Sequence, residues 1–245
     1  MKNSLLFTVV LFLFALTGYA QDLTLDEVLS KHFKAIGQDK LSATKTLKFT
    51  GVQTVQGMEL PFTIYIKRPN KVRVEMSVQG SSLVQAFNGK EGWTINPFIG
   101  SSEPQDLTGA QIEQMKNQAN IDGKLYRWRE NGLKAELLGV ENVDSVKAYK
   151  IKITEVADEG EEAKVIYYFI DANNFLLKKA ATKRKVQGQM VDFETYMGDY
   201  RNVEGIYFPF VQDTKMFDNS VSKVTFDKVL LNVDIDDVIF ERPVK

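Results

Sequence analysis

The sequence predicts a mainly β chain (α+β): a large curved antiparallel sheet forming an incomplete β-barrel of about 11–12 strands, with an N-terminal helix and a helical lid inserted mid-chain. Three observations carry this. Apolar residues recur with a period of two over most of 44–96 and again over 134–231. The segments joining these strands early in the chain, VQGM, RPNK and QGSS, are short and turn-like, which makes sequence neighbours antiparallel. Helical periodicity occurs ahead of the first strand and between the two strand runs.

The opening MKNSLLFTVVLFLFALTGYA has an early charge at Lys2, an apolar run from Leu5 to Leu16, and small residues at Gly18 and Ala20. This is the pattern of a secretory signal peptide over 1–20, with cleavage after Ala20 expected. The run is short for a membrane span, and Gln21 and Asp22 follow it instead of a basic flank. Residues 21–245 are then expected to be soluble after export and to form a single domain, since no Pro/Ser/Gly-rich linker divides them. The chain has no cysteine. No disulfide can staple the fold, and no thiol at the new N-terminus can take a lipid anchor. The net charge of −1, which loses a further positive unit with Lys2, argues against nucleic acid or an anionic membrane as an electrostatic partner.

TLDEVLSKHFKAIG, Thr24 to Gly37, reads as the first helix. Thr24 and Glu27 form a capping box, Leu25, Val28, Leu29, Phe33 and Ile36 fall on one stripe, and Gly37 stands where a C′ residue belongs. His32, the only histidine, has no partner for a metal cluster and reads as a packed or hydrogen-bonded helix residue. In KVRVEMSVQ the alternation is clean: Val72, Val74, Met76 and Val78 face one way, and Arg73, Glu75, Ser77 and Gln79 the other. Thr44–Val55, Met58–Lys67, Ser82–Phe87 and Gly92–Asn96 complete the first run.

LTGAQIEQMKNQANI breaks the strand pattern. Thr108 and Gln111 form a second capping box, and Ile112, Met115 and Ala119 give a narrow apolar stripe on a polar helix, which suits a mobile cover. GKLYRWRENG follows as a short helical or irregular segment. Strands resume in Lys134–Val140, Ser145–Val156, Glu162–Asp171, Phe175–Val186, Gln189–Tyr200, Ile206–Phe217 and Val221–Leu231. VIYYFI, 165–170, is apolar on both faces, so core or helix covers one face and a helix, or a cavity with a guest, the other.

FNGKEGWTINPFIG, Phe87 to Gly100, places large apolar residues among glycines and a proline, with only the turn residues Lys90 and Glu91 able to carry a charge. The residue types present apolar surface beside a bent backbone. Elsewhere no Ser-His-Asp set, metal-spaced His/Cys cluster or phosphate-cradling glycine loop is found, and the acids of DIDDVIFE read as a solvated C-terminal turn. A non-enzyme without catalytic residues, metal or cofactor is expected.

The helix ending in KAIG, then TLKFTG, IKRPNKVRVE, FNGKEGWTINP, YFIDANNFLLKK, DYRNVEGIYFP and the closing LLNVDIDDVIFERP occur in this order along nearly the whole mature chain. In this the sequence resembles the LolA-like periplasmic carriers of the outer-membrane lipoprotein-sorting family, in the longer form common in Bacteroidetes-type genomes. The resemblance implies a half-open barrel with helices plugging its mouth. It implies a periplasmic monomer that holds the acyl chains of a lipoprotein, or another lipid, between an inner-membrane donor and an outer-membrane acceptor. It also implies a buried arginine tying lid to barrel; Arg68 and Arg73 are candidates by strand position.

Under this expectation the apolar cavity is lined by Phe62, Ile64, Ile66, Val74, Met76 and Val78 on inward strand faces, with Trp93 and Phe98 at the rim and Ile112 and Met115 pointing in from the lid. Ordinary core packing is the alternative for each strand residue and for Trp93. The alternative for the whole chain is a non-catalytic envelope binding or scaffold module with a filled core.

Overall fold

The computed structural model describes residues 23–99, 101–156, 163–186 and 188–243. The expected signal peptide, 1–20, lies outside them. Among the described residues are three α-helices, α1 (Leu25–Ile36), α2 (Gln38–Ala43) and α3 (Gly109–Ala119), and thirteen strands. The first six strands are β1 (Thr46–Val55), β2 (Met58–Lys67), β3 (Lys71–Val78), β4 (Ser81–Phe87), β5 (Gly92–Asn96) and β6 (Ser101–Asp106). After α3 come β7 (Lys134–Val143), β8 (Val146–Glu155), β9 (Lys164–Asp171), β10 (Leu177–Val186), β11 (Gln189–Val203), β12 (Ile206–Met216) and β13 (Asn219–Leu231).

All thirteen strands form one antiparallel sheet, in the order β6-β5-β4-β3-β2-β1-β13-β12-β11-β10-β9-β8-β7. Two meanders therefore meet where the last strand pairs with the first, Leu47 opposite Leu231 and Gln53 opposite Val224. The edge strands β6 and β7 are not paired with each other, so the curved sheet stays open.

The strand count exceeds the expected 11–12. The additional strand is SSEPQD, β6, which lacks any apolar alternation and contains Pro104. An edge position tolerates proline because one side of the strand needs no ladder donor. A second helix was also hidden: Gly37, with φ +78°, ends α1 in a left-handed turn and at once begins α2.

α1 forms as its sequence dictates. Glu27 returns its carboxylate to the Thr24 backbone N–H at 2.8 Å, closing the capping box. Its buried stripe, Val28 and Leu29, packs with Leu125, Ile151, Ile153 and Ile170 against the inner face of the second meander. A second cluster lies under α3, where Met115 and Ala119 join Ile66, Val72, Phe87 and Phe210 on the inner face of the first meander and β12. Two separate cores thus line the inner face, one over β1–β4 and the central strands β12 and β13, the other over β8 and β9.

The β1–β13 ladder is irregular at Gly51. The pairing with β13 slips there, and a Cβ on Gly51 would sit 2.3 Å from the Thr225 carbonyl oxygen and 2.9 Å from the ring of Phe62. Glycine lets that ring lie directly on the β1 backbone. Gly51→Ala is expected to destabilise the fold by about 1–3 kcal/mol through overpacking, seen as a lower urea midpoint with an unchanged m-value.

Candidate functional site

Beside the core under α3, the inner face of the first meander is not filled. A cavity of about 520 Å³ lies between α3 and strands β1–β4, β12 and β13, within the range of roughly 300–1,000 Å³ usual for ligand sites. Strand register builds its floor in rows. Phe49 pairs with Ile64, Ile64 with Val74, and Val74 with Gln85. The next row runs from Gly51 through Phe62 and Met76 to Leu83. Because side chains alternate across a strand, Phe49, Ile64 and Val74 present one apolar surface, with Gln85 at its end, and Phe62, Met76 and Leu83 present the next.

Phenylalanines from both meanders complete the floor. Phe49 meets Phe226 at 5.4 Å and Phe208 edge-on at 5.9 Å, and Phe62 meets Phe226 edge-on at 5.7 Å between ring centroids. Edge-to-face packing fixes these rings, so the hollow between them keeps its shape rather than collapsing.

Of the ten residues expected at the site, Phe62, Ile64, Ile66, Val74 and Met76 line this cavity. Val78 follows on the same face of β3 but stands at the hairpin end, opposite Ser81, outside the lining. Met115 is 2% exposed and anchors α3 to the core, with Ile112 packed against the same cluster. Both seat the lid beside the cavity instead of facing into it.

Trp93 and Phe98 lie away from the cavity. Trp93 points to the outer face with Val84 and Ala86, where its indole Nε1–H donates to the Phe240 carbonyl at 2.9 Å. A closing 3-10 turn, Asp237–Phe240, covers it there, held by Lys67 and Lys71 on Asp237, each at 3.0 Å. The two lysines hold the Asp237 carboxyl below its ordinary value, Lys67 first. Phe98, in the 3-10 turn Pro97–Ile99, is half exposed.

The lid helix α3 is capped at its start, where Gln111 Oε1 accepts from the Thr108 backbone N–H at 2.8 Å. Its other end is fastened by Arg68. The guanidinium donates to both carboxylate oxygens of Asp122, at 2.6 and 2.9 Å, and to the carbonyls of Thr44 and Leu41 at 2.7 and 3.0 Å. Gln38 and Ser42 also donate to Asp122 Oδ1. Arg68 thereby ties α2, the start of β1 and the segment after α3 into one joint. Arg73 lies on the outer face, bonded to Glu75 and to the Ile239 carbonyl.

Two other hollows differ in chemistry. A cleft of about 760 Å³ between α1–α2 and the turns after α3 mixes Leu29, Phe33, Leu125 and Trp128 with the charged Asp26, Asp39, Lys34, Lys40, Arg127 and Arg129. Hydrocarbon there would displace water from charges. A hollow of about 450 Å³ on the inner face of the second meander includes Thr182, Arg184, Thr195 and Thr214. Among the described residues no group of three His, Cys, Asp or Glu side chains could hold a metal ion.

His32 is buried in α1, and its Nδ1–H donates to the Phe175 carbonyl oxygen at 2.7 Å. Burial pushes its pKa down, only partly opposed by that hydrogen bond. The unfolded chain therefore takes up the proton first, so the stability linked to His32 is full above about pH 6.5 and falls as pH drops below it. As the only histidine in the sequence, it gives one unambiguous NMR signal, expected to titrate below the free-imidazole midpoint.

No protein-family model and no curated protein matches the sequence. Solved structures do. The crystal structure of a DUF1329 family protein from Desulfovibrio piger is similar with a TM-score of 0.61 at 15% identity, over 87% of this chain and 97% of that one. A LolA superfamily protein from Nitrosomonas europaea is similar with a TM-score of 0.58 at 18% identity, over 89% and 98%. An outer membrane lipoprotein-sorting protein domain from Vibrio parahaemolyticus gives 0.57 at 7% identity, over 84% and 95%. The fold is LolA-like.

Proposed function

We propose that this protein is an exported, periplasmic carrier that holds acyl chains of a lipoprotein, or of another lipid, in the cavity beneath α3. In this role it receives cargo from an inner-membrane donor and passes it to an outer-membrane acceptor, acting as a monomer without chemistry of its own. The observation that carries the proposal is the unfilled floor of Phe49, Phe62, Ile64, Val74 and Phe226 beside a helix fastened at one end by a single arginine. The LolA-like fold supports it, since two of the similar structures are described as a LolA superfamily protein and a lipoprotein-sorting domain.

The energetics fit such a role. Burying a methylene gains about 0.8 kcal/mol, so one sixteen-carbon chain is worth on the order of 12 kcal/mol against free water. Escape into solvent is then very slow, and cargo must pass directly to a receptor. The empty cavity must also be covered, because an exposed apolar patch of several hundred Å² promotes aggregation. The composition of α3 suits a removable cover. Met115 and Ala119 are buried while Glu113, Gln114, Asn117 and Gln118 remain exposed, so little apolar area holds the helix down.

Mass spectrometry of the protein purified from the periplasm tests the proposal. A carrier retains acyl lipid in near-stoichiometric amount or takes it up from vesicles. A protein that does neither is a scaffold, and the transport role is refuted.

A further inference from the structure

We infer that the cavity selects acyl lipids whose head group is uncharged and bears both hydrogen-bond donors and acceptors, and that a ring of carboxamides around its rim makes the selection. The inference rests on the carrier role proposed above and specifies its cargo. Every polar side chain lining the cavity is an amide: Gln53, Gln85 and Gln212 from the sheet, and Gln114, Gln118 and Asn120 from the lid.

Their placement follows from the fold. Gln53 and Gln212 flank Val224 in one row across β1, β13 and β12, while Gln85 ends the row of Phe49, Ile64 and Val74. Gln114 and Gln118 are four residues apart and share one face of α3. The sheet amides are half-buried, as Ile64 and Val74 beside them are, and the lid amides are exposed, so the amides border the apolar floor and reach solvent on the lid side, where a head group would rest.

Within the protein, Gln53 donates to Ser222 Oγ at 2.8 Å. Among the described residues, the side chains of the other five amides have no hydrogen-bond partner in the chain. They are therefore available to a ligand. A carboxamide donates through its NH2 and accepts through its oxygen, which matches hydroxyl, ester and amide groups. It cannot neutralise a charge. The charged side chains on the lid helix, Glu113 and Lys116, pair with each other at 2.7 Å and do not line the cavity. A carboxylate or phosphate brought to this rim loses hydration without gaining a cation.

Competition on the full mature chain tests this. Phenylnaphthylamine, an uncharged apolar fluorophore, is loaded first, then displaced by monopalmitoylglycerol, by palmitate or by palmitoyl lysophosphatidate, at a pH where both acids are ionised. All three share one acyl chain. Monopalmitoylglycerol is expected to displace at about tenfold lower concentration than either anion. Gln118→Lys, on the exposed lid face, and Gln85→Lys, on the sheet, are each expected to shift the preference about tenfold toward palmitate. Equal or tighter displacement by palmitate on the unaltered protein overturns head-group selection while leaving the carrier role standing. Failure of the fluorophore and of all three lipids to bind refutes the carrier role, and this inference with it.

Discussion

Val74→Asp is expected to weaken acyl-chain binding about a hundredfold while leaving the sheet folded. Val74 lies mid-row between Ile64 and Gln85 on the cavity floor and is only half-buried. A carboxylate there can stay hydrated when the cavity is empty, so the penalty falls on the loaded state. Hydrating it excludes hydrocarbon from its surroundings. Losing contact along roughly four methylenes at about 0.8 kcal/mol each gives about 3 kcal/mol, or two decades in affinity. Val74→Ala, which removes volume without charge, is expected to bind within a few fold of the unaltered protein. Fluorophore titration reads the affinity, and the far-UV spectrum confirms the fold of each variant. Undiminished uptake by Val74→Asp would place the ligand elsewhere.

Arg68→Leu is expected to release the end of the lid. The substitution keeps an apolar stem but removes both bonds to Asp122 and those to the Thr44 and Leu41 carbonyls. Breaking a buried pair from one side costs about 3–5 kcal/mol. Here the two side chains are 28% and 20% exposed, and solvent reduces the loss to roughly 2–3 kcal/mol. Much of that loss is local. Amide hydrogen exchange in α3 should accelerate strongly while the β1–β2 ladder stays protected, and lipid should enter and leave faster. Arg68→Lys restores a charge but not the fork that grips both oxygens, so it should recover only part of the protection. Unchanged exchange in α3 would show that the apolar contacts of Ile112, Met115 and Ala119 hold the lid without Arg68.

Much of this molecule is legible in the chain alone. Local rules fix local features: the capping boxes of α1 and α3, the left-handed Gly37, and the alternation that puts Phe62, Ile64, Ile66, Val74 and Met76 on one sheet face. Features that depend on distant pairing are not legible. Phe208 and Phe226 reach the floor only because β13 closes against β1, a contact between residues about as far apart as the strands allow. Periodicity shows that their strands alternate but not which strand lies beside them. Asp122 sits in a turn-rich segment with no motif to mark it as the partner of Arg68. Trp93 illustrates the same limit. Alternation in GWTIN separates Trp93 from Thr94, but only the C-terminal turn packing over the outer face decides which side is the core.

The carrier role requires hydrocarbon to lie between α3 and the sheet. A monoacylglycerol bearing a photoreactive diazirine within its acyl chain tests that most directly, with cross-linked peptides mapped by mass spectrometry. The expected adducts fall on β2, β3 and β13, at Ile64, Val74 and Phe226. Adducts confined to the charged cleft beside α1, at Phe33 or Trp128, or none above the level of unfolded protein, would contradict it.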